Sequence, residues 1–240
     1  MTDTNTILFT GGSGLLGGEM KKLLPRAMFP GHSEFDITDL ASMNKYAQGK
    51  EISLVIHAAA FTSPPKINEN PKYAIDANII GTANVTKFCM ERNIRLIYIS
   101  TDYVFPGDKG NYVEADPVLP SNKYAWSKLG GECAVQQYDK SLIVRTSFSE
   151  NEFPYPKAFT DQWTSRLTVT ALAEKLEKLI DTDETGIVHV GGPRRTVFEY
   201  AVAISPDKEI GELSLNDVSF TAPRDTSLNT GRYEQITKEK

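Results

Sequence analysis

A hydroxyl at Thr101, a phenol at Tyr124 and an ammonium at Lys128 are the groups that a proton-coupled hydride transfer to a carbonyl requires. Thr101 lies in the run Ser100-Thr101-Asp102-Tyr103-Val104-Phe105-Pro106-Gly107, and Tyr124-x-x-x-Lys128 follows it. Four residues apart on a helix, phenol and amine share one face. A free tyrosine titrates near pH 10, so work near neutrality needs a neighbouring positive charge, which Lys128 and an oxidised nicotinamide would supply. Thr101 would hydrogen-bond either the substrate carbonyl or the phenol. The spacing alone is weak, because a chain with this many tyrosines and lysines holds about one such pair by chance. Tyr46 and Lys50 form a second pair, at a helix end interrupted by Gly49, and Tyr46 is expected to be a packing or surface residue.

Position separates the two pairs. Ser100, Thr101 and Asp102 end the apolar run Leu96-Ile97-Tyr98-Ile99, and open α/β sheets place ligands at such strand ends. A second strand end carries Gly11-x-x-Gly14-x-x-Gly17, directly before a helical segment. Glycines there allow a sharp turn and close approach to a pyrophosphate, with the helix N-terminus aimed at its charge. The acidic residue that would grip the adenosine ribose is ambiguous between Glu34 and Asp36, so NAD and NADP both stay open.

The elements that must hold these groups alternate. Apolar runs at 6–10, 27–29, 54–57, 96–99, 142–144 and 187–190 read as strands. Segments 15–24, 39–48, 121–138, 169–180 and 197–204 read as helices, as does one long helix from the Asn70-Pro71 start to Arg92-Asn93. The expected fold is α/β, a doubly wound parallel sheet of Rossmann type with a small annex. Residues 1–147 would form the dinucleotide-binding domain carrying the catalytic residues. Residues 148–240 would form a shortened substrate region, with about 166–192 completing the sheet. Residues 147–165 show no clear period.

Composition narrows the class. With 240 residues, 40% hydrophobic, 24% charged and a net charge of −5, the chain reads as an ordinary globular protein with no nucleic acid or acidic membrane as partner. The N-terminus lacks the basic and apolar regions of a signal peptide, and no apolar run is long enough for a membrane span, so a cytoplasmic location is expected. Cys89 and Cys133 are expected as two buried thiols. His57 reads as a packed strand-end residue, and His32 and His189 lack metal-ligand spacing, so no metal site is expected. Phe153, Phe159 and Trp163 read as annex core, and Arg194-Arg195 as a solvated surface pair.

Taken in order, Gly11-x-x-Gly14-x-x-Gly17, Asp36-Ile37-Thr38-Asp39, His57-Ala58-Ala59-Ala60, Thr101-Asp102-Tyr103-Val104-Phe105-Pro106-Gly107 and Tyr124-x-x-x-Lys128-x-x-Gly131-Glu132 resemble the extended short-chain dehydrogenase/reductases. Within them the likeness is to the dTDP-4-dehydrorhamnose reductase family. Arg145-Thr146-Ser147, Asp161-Gln162 and Arg224-Asp225-Thr226-Ser227-Leu228 extend it over nearly the whole chain. The resemblance implies that Gly11, Gly14, Leu15, Leu16 and Gly17 cradle the pyrophosphate of NADP or NAD. It implies that Asp36 and Ile37 meet the adenine, that Ala58, Ala59 and Ala60 line the cofactor, and that Lys128 holds the nicotinamide ribose. Tyr124 would be the acid and, like Lys128, contact the cofactor, while Thr101, Asp102, Tyr103 and Phe148 would face a nucleotide-sugar substrate. Dehydratases of the superfamily usually carry an acid where this chain has Tyr103, which favours reduction of a nucleotide-linked 4-keto-6-deoxy sugar. The chain is shorter than family members after Arg145, where Phe148-Ser149-Glu150-Asn151 replaces an aromatic-rich run. A non-catalytic NAD(P)-binding regulatory subunit and a nucleotide-sugar epimerase therefore stay open as alternatives, and a homodimer as a form of assembly.

Overall fold

Short, β-branched apolar runs make poor helices but suit strands covered on both faces. In a computed structural model describing residues 2–220 and 222–238, they form one parallel sheet in the order β1-β2-β3-β4-β5. These are β1 (Ile7–Thr10), β2 (Leu54–His57), β3 (Arg95–Ile99), β4 (Ser141–Thr146) and β5 (Gly186–Val190). Ile7 pairs with Leu54, Leu54 with Arg95, Leu96 with Ser141 and Leu142 with Gly186. Every residue of β1, β2 and β4 is buried.

Alternation along the strands splits the core in two. Ile7, Phe9, Leu54 and Ile56 face one layer, with Leu16 and Met20 of α1 (Leu15–Leu23) and Leu172 and Leu176 of an amphipathic helix at Val169–Ile180. Leu8 and Val55 face the other, with Met43 of α2 (Leu40–Tyr46), Val85 and Phe88 of α3 (Thr82–Arg92), and Val135 of α4 (Lys123–Val135). The Val169–Ile180 helix is α5; α6 (Val197–Ile204) and α7 (Gly231–Lys238) follow.

The expected strand at 27–29 is reduced to one bridge, Leu8 to Met28, with Met28 N–H donating to Ile7 O at 2.8 Å and Phe9 N–H to Met28 O at 2.8 Å. Pro25 and Pro30 bracket it and stop it lengthening. The chain thus leaves β1 for one side of the sheet and returns to β2 on the other. That reversal opens a crevice between the ends of β1 and β2.

Several expectations are corrected. The long helix from Asn70-Pro71 runs on to Arg92 as expected, with Asn70 Oδ1 accepting from Lys72 N–H at 3.2 Å at its start, but it is not α-helical throughout: Lys72–Ala74 leads into a π-helical stretch, Ile75–Gly81, before α3, and a separate short helix, Pro64–Glu69, precedes it. A period of 3.6 residues cannot reveal an inserted residue. Segment 147–165 holds two- and three-residue strands, Phe148–Ser149, Lys157–Phe159 and Trp163–Thr164, too short to show a period. They pair with Leu167–Thr168, Gly211–Leu213 and Arg195–Thr196 around a small core that includes Phe153, Ala158 and Tyr200. Of the two thiols only Cys89 is buried; Cys133 is exposed, on the solvent side of α4. Arg194 is exposed and Arg195 half-buried, and both have partners. Arg194 lies 3.9 Å from the Trp163 ring and 2.7 Å from Asp225 Oδ2, and Arg195 lies 4.7 Å from the Tyr200 ring.

Candidate active site

The crevice at the reversal is shaped by missing side chains. Gly11 adopts φ +81°, and a Cβ there would lie 2.8 Å from Ala59 N and 2.9 Å from Ala58 C. At Gly17 a Cβ would lie 2.6 Å from Gly11 O. The loop after β1 therefore touches the backbone after β2, and α1 begins against the loop. Gly14 caps α1 without a side-chain acceptor, so the first-turn N–H groups and the positive end of the helix dipole face the crevice. His57 braces the seam: Nδ1 lies 2.7 Å from Thr10 Oγ1 and Nε2 3.1 Å from Thr82 Oγ1. Complete burial, with Lys128 nearby, pushes its pKa down to about 3, so it is a neutral strut. This is the packing role expected of it.

The candidate groups Thr101, Tyr124 and Lys128 meet where β3 ends. Thr101 accepts from Tyr103 N–H at 3.2 Å and caps the 3-10 turn Asp102–Val104. Across from it, α4 is capped by Asn122, whose Oδ1 accepts from Ala125 N–H at 2.9 Å, which sets Tyr124 in the first turn. Lys128 is 3% exposed, donates to Ile99 O at 2.8 Å and sits 4.2 Å from the Tyr98 ring. Burial pushes its amine down to about 7, partly offset by Glu132. In the protein alone the Tyr124 phenol is not lowered. Burial, with Asp102 and Tyr103, pushes the phenol upward, and the Thr101 hydroxyl eases it. Tyr124 is thus held as a neutral phenol, a proton donor.

A cavity of about 690 Å³ joins the two halves, a size suited to a small-molecule or cofactor site. Gly11, Gly14, Leu15, Leu16, Gly17, Ile37, Ala58, Ala59, Ala60, Thr101, Asp102, Tyr103, Tyr124, Lys128 and Phe148 all border it. Asp36 does not border it; its carboxylate accepts from Thr38 N–H at 2.9 Å and Thr38 Oγ1 at 2.7 Å. The chance pair also stays apart: Lys50 lies over the Tyr46 ring at 3.9 Å, and Tyr46 packs edge-on to Phe35.

Sequence reasoning missed Arg166. Its Nε donates to Ser147 Oγ at 3.4 Å, its charge acts on Asp102 and Tyr103, and it borders the cavity with Thr146 and Ser147. An isolated arginine in an aperiodic segment carries no signal. Also missed was Asn78, fully buried in the π-helical stretch. Its Oδ1 accepts from Phe61 N–H at 2.7 Å, and its Nδ2 donates to Phe61 O at 3.0 Å and Ser127 Oγ at 2.8 Å. It pins the wall of the cavity to α4.

The glycine cradle, the free helix N-terminus and the cavity fit a dinucleotide. Comparison with known proteins agrees on the family. Residues 5–175 match the model of the RmlD substrate binding domain. A Streptomyces griseus protein named dTDP-4-dehydrorhamnose reductase is 35% identical over 150 residues, 59% of this chain and 49% of that protein. The match thus spans about half the length of that relative. Among solved structures, a hypothetical dTDP-4-dehydrorhamnose reductase from Sulfolobus tokodaii is 30% identical, covering 96% of this chain and 94% of that one, with a TM-score of 0.83. The Bacillus anthracis dTDP-4-dehydrorhamnose reductase, solved in complex with NADP, is 25% identical over 97% of both chains, with a TM-score of 0.85. With the glycine cradle, the Thr101 turn and the Tyr124-Lys128 face in one cavity, the chain belongs to the RmlD substrate binding domain family of dTDP-4-dehydrorhamnose reductases.

Proposed function

We propose that the chain is an NAD(P)H-dependent reductase of a nucleotide-linked 4-keto-6-deoxy sugar, using NADPH or NADH. The observation that carries this reading is the convergence of Thr101, Tyr124 and Lys128 on one cavity with the glycine cradle. Gly11, Gly14 and Gly17 would admit the pyrophosphate to the N-terminus of α1, beside Leu15 and Leu16. Ile37 and Ala58 to Ala60 would wall the cofactor, and Lys128 would hold its ribose. Asp36 would act indirectly, by shaping the turn that presents Ile37. A bound reduced nicotinamide supplies hydride.

The chain's own residues do the rest. Thr101 orients the carbonyl oxygen, Tyr124 donates the proton to it, and the charge of Lys128 steadies the phenolate left behind. Asp102, Tyr103 and Phe148 would face the sugar, with Arg166 at the outer end. Residues 1–147 would serve the cofactor and the chemistry, and 148–240 the substrate, with about 166–192 completing the sheet. Free cysteines fit a reducing, cytoplasmic setting.

The test is NAD(P)H oxidation against a panel of nucleotide 4-keto sugars. Turnover is expected, with Tyr124→Phe slower by at least about 10²-fold. Tight cofactor binding without turnover of any sugar would overturn the reductase reading in favour of a binding subunit.

A further inference from the structure

The hydrogen bonds of Asp102 link the catalytic tyrosine to the far end of the chain. Thr226, 124 positions away in sequence, donates its hydroxyl to Asp102 Oδ2 at 2.7 Å. Thr101 Oγ1 donates to Asp102 Oδ1 at 3.2 Å, and the same hydroxyl is within hydrogen-bond reach of the Tyr124 phenol. The Asp102 side chain borders the cavity yet is 2% exposed. Thr226 arrives on a strap anchored at three other points. Asp225 N–H donates to Gly107 O at 2.9 Å, Trp163 N–H donates to Arg224 O at 2.7 Å, and Leu228 N–H donates to Ser165 Oγ at 3.1 Å.

This arrangement sorts the two carboxyl oxygens. A hydroxyl carries one proton, and that of Thr226 occupies Oδ2. The Thr101 hydroxyl is shared between Asp102 and the Tyr124 phenol; when it turns to the phenol, the proton of a neutral Asp102 sits on Oδ1, the oxygen that faces Thr101. We infer that Asp102 is the proton reservoir of the site and that Thr226 is the positioning residue that aims its acidic O–H at Thr101 and Tyr124. The inference rests on the reductase reading above.

The transfer balances. Tyr124 gives its proton to the carbonyl oxygen as carbon gains hydride; Thr101 gives its proton to the phenolate; Asp102 gives its own to Thr101. Three O–H bonds break and three form, and Asp102 ends as a carboxylate, stabilised by the Thr226 O–H and faced by Arg166. Water in the opened cavity returns the proton. The groups facing Asp102 are Thr101 on its own turn, Tyr103 beside it, Tyr124 on α4, Arg166 and Thr226. Burial dominates and raises its pKa to about 6. The acid form is therefore present below pH 6 and is lost as pH rises through it.

The experiment is the pH profile of kcat for wild type, Asp102→Asn, Thr226→Val and Thr226→Ser, with infrared titration of the carboxyl groups in the same cofactor-bound proteins. In wild type, kcat should fall as pH rises through about 6, and a protonated-carboxyl band should vanish over the same range. Asp102→Asn should lose the band and that limb of the profile, and about 10²-fold in kcat. It should keep any limb due to Lys128. Thr226→Val removes a donor to the carboxylate, so both limb and band should move to higher pH; Thr226→Ser should restore them. An unchanged profile in Asp102→Asn, or no protonated band in wild type, overturns the inference. The infrared titration needs no turnover, so failure of the reductase reading shows separately, as absent turnover with the titration intact.

Discussion

Single residues act here through what they exclude as much as through what they touch. Gly17 sits where a methyl would press on Gly11 O and Gly12 Cα, both at 2.6 Å. Gly17→Ala should displace the loop, costing about 1–3 kcal/mol of stability and most of the NAD(P)H affinity; thermal denaturation and fluorescence titration check this. Lys128 shows the opposite logic, a charge admitted to a buried place. With its pKa lowered to about 7, the ammonium is present below that pH and is lost as pH rises through it. Cofactor affinity should therefore weaken above pH 7, and Lys128→Met should be weak and flat across the same range. Neither result depends on the identity of the sugar.

At the scale of elements, the π-helical stretch and one buried ion pair hold the site's walls in register. Asn78 satisfies both backbone groups of Phe61. Asn78→Ala leaves them unpaired at a cost of about 1–3 kcal/mol, and should raise the KM for the cofactor. Glu132 joins three elements, because its carboxylate accepts from Ser100 Oγ on the β3 exit at 2.5 Å and from Arg145 of β4 at 2.8 Å, while it belongs to α4. Glu132→Gln strands the Arg145 guanidinium in the core, and denaturant unfolding should report a loss of about 3–5 kcal/mol. Helix and strand positions were legible in the apolar patterning. The π-helical stretch Ile75–Gly81 inside the long helix was not, because π geometry answers to Asn78 and its distant partners.

For the whole molecule, the C-terminal strap closes the annex onto the Thr101-capped turn Asp102–Val104. Asp225 receives Arg194, Ser227 Oγ and Ser227 N–H, and its backbone N–H donates to Gly107 O. Asp225→Asn should loosen this closure, seen as faster amide exchange in residues 106–112 and 225–229 while β1 to β4 stay protected. Acid should weaken the molecule through His57. Its folded pKa of about 3 lies below the unfolded 6.5, so the stability it contributes is present above 6.5 and is lost as pH falls toward 3. Denaturation midpoints between pH 7 and 4 should fall less steeply in His57→Gln.

The alternating apolar runs, the glycine spacing and the Thr101, Tyr124 and Lys128 types determined by themselves a doubly wound sheet with a dinucleotide crevice and a proton donor. Those features are local: periodicity, caps and strand ends are written within a few residues of where they act. Only the tertiary structure decided that Lys128 donates to Ile99 O, and that Asp36 turns to Thr38. It alone brought Arg166 and Thr226 to the acid end of the site. These are choices among hydrogen-bond partners far apart in sequence, and burial, which no spacing encodes, settles which partner each polar group must take.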